Sequence, residues 1–268
     1  MNLMKICVNG ADYILCRTND SERAKRIAER APSLCDRYTG IGAQGIICAG
    51  EYEGKNTFDI ISPNGEKRAF DADAAVCFAV AEGKKETVVT MSGGRLVVAE
   101  NGSSDVYDVT FDKAVFLPSE VPLACSYPVI EKAVETGNRI ILLTALRIGG
   151  VYAVHETYDL EKPNIPYLGE QITAHSLFLK KADAVFVQRI AEQTVKLRCY
   201  RRGGGVVLSD IGAAAAALVM LCRVGRQTIG IPVNLAFERG EVTAVCRKDM
   251  SVHMKTQAKV VFEGNIDL

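Results

Sequence analysis

The chain has 268 residues, 48% of them hydrophobic, and its 32 Lys plus Arg are balanced by 32 Asp plus Glu. That length suits two domains of about 130 residues, each able to bury its own core. Balanced charge excludes the bulk positive field that holds nucleic acid or an anionic membrane, and no stretch reaches the roughly 18 apolar residues of a spanning helix, so a soluble cytoplasmic protein with small-molecule partners is expected.

In chain order, short alternating or β-branched runs predict strands over 3–8, 12–17, 44–49, 56–62, 86–91, 95–100 and 105–111. A second set follows at 138–146, 151–156, 183–188, 193–200, 205–208, 233–238, 241–247 and 257–263. Helices are predicted at 21–31, where Asp20 or Ser21 can cap and Pro32 marks the end, then at 71–82, 127–136, 168–176 and 211–224. Two prolines, Pro118 and Pro122, break the pattern and separate the halves. The expected domains are 1–118 and 119–255, with 256–268 free to return to the first. Nine cysteines, odd in number, scattered and never spaced as CxxC, argue against a disulfide framework and a zinc site. They read as buried small hydrophobes. His155, His175 and His253 match no ligand spacing, and no metal is expected.

Each half also carries an aspartate that opens an alanine-rich helix after a glycine turn. The first reads Asn64-Gly65, then Asp71-Ala72-Asp73-Ala74-Ala75-Val76-Cys77-Phe78-Ala79; the second reads Gly203-Gly204-Gly205, then Asp210-Ile211-Gly212 and Ala213 to Ala217. Helices that are apolar on every side are buried, so each half is expected to wrap its strands around such a helix, with a carboxylate at the N-terminus. The two ends could face each other. The triple glycine is no phosphate loop, since no GKS or GKT follows; a tight turn that lets backbone amides approach a ligand fits it better.

Cys35-Asp36-Arg37-Tyr38-Thr39-Gly40-Ile41-Gly42-Ala43-Gln44-Gly45 resembles the CDR-x-x-GIGADG signature of diaminopimelate epimerases. Ile61-Ser62-Pro63-Asn64-Gly65 is similar to that family's FN-x-DG, Cys77-Phe78-Ala79 to its RCFA, Arg202-Gly203-Gly204-Gly205 to its ERGAGET, and Gly10-Ala11-Asp12-Tyr13 to its opening GND-[FY]. The resemblance spans nearly the whole chain. It implies an α+β fold of two similar domains, each a curved, mostly antiparallel sheet around a central helix, with the active site in the cleft between them and no cofactor.

The family's two helix-heading positions are cysteines, one thiolate taking the α-proton while the opposite thiol delivers one. Here they are Asp71 and Asp210. Carried over residue by residue, the substrate-binding positions are Ser62, Asn64, Ala72, Asp73, Asp183, Arg201, Arg202, Ile211 and Gly212; the family's asparagines are replaced by Ala11, Ser62, Gly150 and Asp183, and its Glu-Arg pair by Arg201-Arg202. Diaminopimelate is therefore not the expected substrate. Reference pKa values of about 3.9 for Asp and 8.5 for Cys make aspartate the weaker base by roughly 6 kcal/mol before its surroundings act. A more acidic C–H, or a double-bond shift with one acid and one base, suits two aspartates better. The phenazine-pathway isomerases, similar in fold, use a carboxylate as proton shuttle.

Three functions stay open. The first is a cofactor-independent isomerase of epimerase, racemase or tautomerase type, with Asp71 and Asp210 as base and acid on opposite faces of a small carboxylate or amino-acid-like substrate. Arg201 and Arg202 would clamp its carboxylate, and helix N-terminal N–H groups would help. The second is a non-catalytic relative with a binding or structural role, in which Asp71, Asp210 and the first-turn Asp73 only cap and polarise their helices. The third is a racemase of a different amino acid. The sequence leaves a homodimer open.

Overall fold

Asn9 and Gly10, both at positive φ (47° and 93°), turn strand β1 (Asn2–Val8) tightly back onto β2 (Ala11–Arg17). The computed structural model describes every residue except 53–54, 92–93, 103–104, 138, 181 and 268. Helix α1 (Ser21–Cys35) follows, with Asp20 accepting from the N–H groups of Glu22 and Arg23. It runs through Pro32 instead of stopping there. The apolar positions Ile27, Ala31, Leu34 and Cys35 continue at helical spacing past the proline, and their burial holds the last turn despite the lost N–H.

Strand β3 (Gly45–Tyr52) returns parallel to β2, and β4 (Lys55–Ile61) and the short β5 (Lys67–Arg68) add antiparallel neighbours. Helix α2 (Ala72–Glu82) comes next, then the meander β6 (Glu86–Met91), β7 (Gly94–Glu100) and β8 (Val106–Phe111).

The helix predicted over 127–136 is absent. Strand β9 (Lys132–Thr136) lies there, paired antiparallel with β10 (Arg139–Ile148). Gly137 at φ 60° makes the tight return, and this hairpin satisfies the backbone of a segment with no apolar stripe of its own. The strand predicted from 138 is β10; its first predicted position lies outside the described residues.

The second half then repeats the first. Strand β11 (Gly150–Glu156) pairs with β10, helix α3 (Ile165–Thr173) crosses over, and β12 (Asp183–Ala191) returns parallel to β11. Strands β13 (Thr194–Arg201) and β14 (Gly205–Val207) lead into helix α4 (Ile211–Arg223), followed by β15 (Val233–Ala236), β16 (Glu241–Cys246) and β17 (Val252–Asn265). The predicted 168–176 helix starts earlier, because Asn164 accepts from the Tyr167 N–H and so caps a helix with Pro166 in its first turn. The expected α+β duplication is thus present: hairpin, helix, parallel return, short strand, aspartate-headed helix, three strands.

Strand β17 ties the halves together. Its first part pairs with β16 and β8, and Ala258–Asn265 pairs with β1. Residues Ala72–Ala79 of α2 and Ile211–Cys222 of α4 are buried without interruption, and both helices enter one hydrophobic core. Burying a Leu, Val or Met side chain contributes about 1.5–3 kcal/mol, so Leu218 to Leu221 alone anchor α4 firmly. Smaller cores lie beneath α1 and α3. Among the described residues no helix is long and apolar enough to cross a membrane.

Candidate active site

Asp71 and Asp210 cap their helices in the same way. Each has an extended backbone (φ −157° and −161°), and each turns Oδ1 onto its own first turn, accepting from Ala74 N–H at 3.1 Å and Ala213 N–H at 2.8 Å. Each then has Oδ2 left to point elsewhere.

Both Oδ2 atoms meet one guanidinium. Arg201, at the end of β13, forms an ion pair with Asp71 through Nη1 at 2.8 Å and donates both Nε (3.0 Å) and Nη2 (2.8 Å) to Asp210. Its Nη2 also lies 3.6 Å from Asp73 Oδ2. The gap between the two aspartates therefore has the width of one trigonal carbon with its substituents, and the protein's own side chain fills it. All four charged residues are buried.

Neighbouring groups complete the cluster. The Tyr13 hydroxyl donates to Asp71 Oδ2 at 2.7 Å and accepts from Arg201 Nη1 at 3.0 Å. Arg68 places Nε 3.6 Å from Asp71 Oδ2 and donates Nη2 to Asp183 at 2.8 Å. The Ile211 N–H donates to Asp73 Oδ2 at 3.2 Å, so a carboxylate on α2 satisfies the first turn of α4. Asp73 Oδ1 is buried and has no hydrogen-bond partner. The Cys199 thiol reaches Asp210 Oδ2 at 3.9 Å.

Charge settles unevenly here. Burial works against an ionised Asp71, but the guanidiniums of Arg201 and Arg68, the Tyr13 hydroxyl and the Ala74 N–H together hold its carboxyl below the usual range. Burial pushes Asp73 well up, and the negative charges of Asp210 and Asp71 add to it against the pull of Arg201. Asp73 is thus the carboxyl of the cluster that burial and its neighbours favour in the protonated form. Arg201 stays charged: burial disfavours the cation, and Asp71, Tyr13, Asp210 and Asp73 outweigh it. Burial raises Tyr13, Tyr152 and the Cys199 thiol well above their ordinary values.

The other predicted site residues divide. Ser62, Asp183 and Arg202 line a cavity of about 630 Å³ beside the cluster, together with Arg68 and Gly150. Asp183 accepts from Arg68 and from the Arg202 N–H at 3.1 Å. Ala72 and Ile211 are buried first residues of their helices, and Gly212 lies so close under Tyr152 that a Cβ would come within 2.1 Å of its hydroxyl. Asn64 faces solvent and accepts from the Glu66 N–H, shaping the turn; it does not line the cavity. Arg201, expected to clamp a ligand, holds the aspartates instead. The N–H groups of Ala74, Ala213 and Ile211 are already taken by the protein's own carboxylates.

Tyr13, Arg68 and Cys199 are site neighbours that sequence reading did not single out. Tyr13 had a usable signal, the last position of the opening block. Arg37 of the signature block pairs with Asp12 at 2.6 and 3.2 Å, which fixes the strand that delivers Tyr13. Arg68 and Cys199 are brought in only by the pairing of β5 with β4 and of β13 with β14.

Against known proteins, no protein-family model matches the chain. The diaminopimelate epimerase of Caldanaerobacter subterraneus subsp. tengcongensis is 26% identical over 282 aligned residues, covering 100% of both chains. That of Microcystis aeruginosa is 27% identical, covering 95% of each. The chain is thus similar along its whole length to diaminopimelate epimerases. Among solved structures, a probable proline racemase from Agrobacterium radiobacter superposes with a TM-score of 0.68 at 13% identity, covering 100% of this chain and 93% of that one. A methylitaconate-delta-isomerase gives 0.56 at 13% identity, covering 99% and 95%. The fold is therefore that of the diaminopimelate epimerase and proline racemase group. These relatives and neighbours are epimerases, racemases and isomerases, which supports an isomerase enzyme.

Proposed function

We propose that this relative of the diaminopimelate epimerases is a cofactor-independent isomerase acting on a small carboxylate-bearing molecule other than diaminopimelate, with Asp71 and Asp210 as its proton-transfer pair. The observation that carries the reading is the one-carbon gap between their Oδ2 atoms at two facing helix N-termini, spanned by the Arg201 guanidinium. In this reading the observed state is the resting one. A substrate carboxylate competes for Arg201 from the neighbouring cavity of about 200 Å³, which Arg201 lines with Arg37, Arg68 and Ser62. Drawing the guanidinium aside frees the gap. It also strips the cation from the buried Asp71 and Asp73, for which Arg201 lowers the pKa against desolvation, so the loss of that charge favours their protonated forms. The step that admits substrate is thus the step that turns a weak base into a stronger one. One aspartate takes a proton from carbon, and the other, protonated, returns one to the opposite face or to the far end of a shifted double bond.

The test is solvent exchange. Small carboxylic acids and amino acids are incubated with the protein in deuterated water and read by mass spectrometry, with Asp71→Asn and Asp210→Asn alongside at temperatures where each is folded. Wild type is expected to place deuterium on one carbon of its substrate and not to epimerise LL-diaminopimelate; exchange that survives in both variants would remove the aspartates from the chemistry.

A second reading is favoured by one observation, the completeness of the Arg201 cluster. The Oδ2 atoms of Asp71, Asp73 and Asp210 and the Arg201 guanidinium meet one another inside the protein, so the same residues also suit a non-catalytic relative stabilised by a buried ion network. That reading predicts no exchange across the whole panel.

A further inference from the structure

The cavity of about 630 Å³ beside the cluster is lined by more cations than anions. Lys67, Arg68, Arg147, Lys180 and Arg202 face only two carboxylates, Glu120 and Asp183, in a protein whose charges balance overall. Three of the five cations have partners: Arg147 with Glu120 at 2.5 Å, Lys67 with Asp59 at 2.6 Å outside the cavity, and Arg68 with Asp183 at 2.8 Å. The side chains of Lys180 and Arg202 form no ion pair with any described residue. Arg68, although paired through Nη2, keeps a buried Nε that lies 3.6 Å from Asp71 Oδ2 without a hydrogen-bond acceptor. Such a donor is costly unless something comes to meet it. The inner wall is apolar: Phe70 lines it, pressed so closely on Gly149 that a Cβ there would come within 2.1 Å of its ring. A low-dielectric wall next to like charges focuses their field into the cavity.

We propose that this cavity selects a small dianion, a molecule carrying two anionic groups, with one group held at Arg68 and the other at Lys180 and Arg202. The proposal rests on the substrate site read above, extends it from the cavity lined by Arg201 into this one, which shares Ser62 and Arg68 with it, and narrows the substrate class from carboxylates in general to dicarboxylates or phosphorylated carboxylates. A monoanion would leave one cationic end of the cavity unmatched. A zwitterion would bring an ammonium group into an already positive space.

Isothermal titration of the full chain separates the cases. The probes are acetate and propionate as monoanions, succinate and glutarate as dicarboxylates, phosphoglycolate as a phosphorylated carboxylate, and alanine as a zwitterion. Dianions are expected to bind at least about tenfold more tightly than acetate, the difference one additional charge-assisted contact makes, and the preference should shrink as salt rises. Whether the dicarboxylates or phosphoglycolate bind more tightly assigns the second anionic group. Lys180→Gln and Arg202→Gln change exposed side chains, so their folding is checked by circular dichroism; each should lower dianion affinity about tenfold and leave acetate binding unchanged. Equal affinity for mono- and dianions, or dianion binding indifferent to both variants, overturns the proposal. Binding is read without turnover: dianions that bind but never exchange deuterium sink the isomerase reading alone, and exchange confined to zwitterions that bind without any dianion affinity sinks this one alone.

Discussion

The entrances to α2 and α4 are built on one plan, yet they are not equivalent. At α4, Asp210 depends on Arg201 from its own half, through two hydrogen bonds. At α2, Asp71 shares Arg201 through one ion pair and has Tyr13 and Arg68 besides, while Asp73 adds a second carboxyl. The guanidinium thus belongs to the second half and reaches across to the first. A duplicated cap motif has become an asymmetric cluster, in which the second half supplies Arg201 and Asp210 and the first supplies Arg68, Asp71 and the readily protonated Asp73.

Removing the shared cation should have the largest effect. Arg201→Ala leaves three buried carboxylates around an uncompensated site, and about 3–5 kcal/mol of unfolding free energy is expected to disappear in urea titrations. A loss below about 1 kcal/mol would show that the cluster is solvated and that the asymmetry carries no energy.

The next test sets the two halves against each other. From sequence alone, asparagine looks harmless at both helix heads, because it caps about as well as aspartate. The structure changes that expectation: each Asn also leaves a buried guanidinium short of a carboxylate. Asp210→Asn, which breaks two bonds to Arg201, is expected to cost about 3 kcal/mol or more; Asp71→Asn should cost less, since Arg201 keeps its paired contact with Asp210 and Arg68 keeps Asp183. Equal losses would erase the distinction between the two entrances.

Asp73 sharpens the comparison through pH. Its folded-state pKa lies above the unfolded value of about 3.9, so between the two the folded protein holds a proton that the unfolded chain has released. Stability contributed by that proton is complete below the unfolded pKa and declines by up to about 1.4 kcal/mol per pH unit as pH rises toward the folded one. Asp73→Asn mimics the protonated acid and does not titrate. The variant should match wild type near pH 4 and gain on it as pH rises; parallel pH profiles would mean that Asp73 is ionised in the folded state.

The smallest effect is expected from thiol reagents. Burial raises Cys199 and Cys77 well above their ordinary values and pushes Cys35 and Cys48 up to about 12, leaving almost no thiolate at neutral pH. Iodoacetamide should label only the half-buried Cys7 and Cys125, as intact mass will report, without changing deuterium exchange. Rapid labelling of Cys199 that a bound dianion prevents would mean that a thiol reaches the gap after all.

Legibility followed the range of the interactions. Strands with strong alternation and the two all-apolar helices could be read from residues, because period and capping are local. The helix expected over 127–136 failed because that segment is decided by its partner β10, and α1 outran Pro32 because tertiary burial outweighed one missing bond. At the site, the aspartates announced themselves through their caps. The bridge did not: Arg201 looked like a ligand clamp on a glycine loop, and nothing in its neighbours encodes that the facing helix lies within 2.8 Å.

Strand β17 spans the two halves. It leaves one sheet near Gln257 and enters the other at Ala258, so one continuous strand belongs to both. Its register slips nearby, where Lys5 pairs with Phe262 but Ile6 with Val260, leaving Val261 as an extra residue. Such a bulge loosens pairing and bends the strand on which it sits. The strand that passes from one sheet to the other therefore carries its bend a few residues beyond the crossing point.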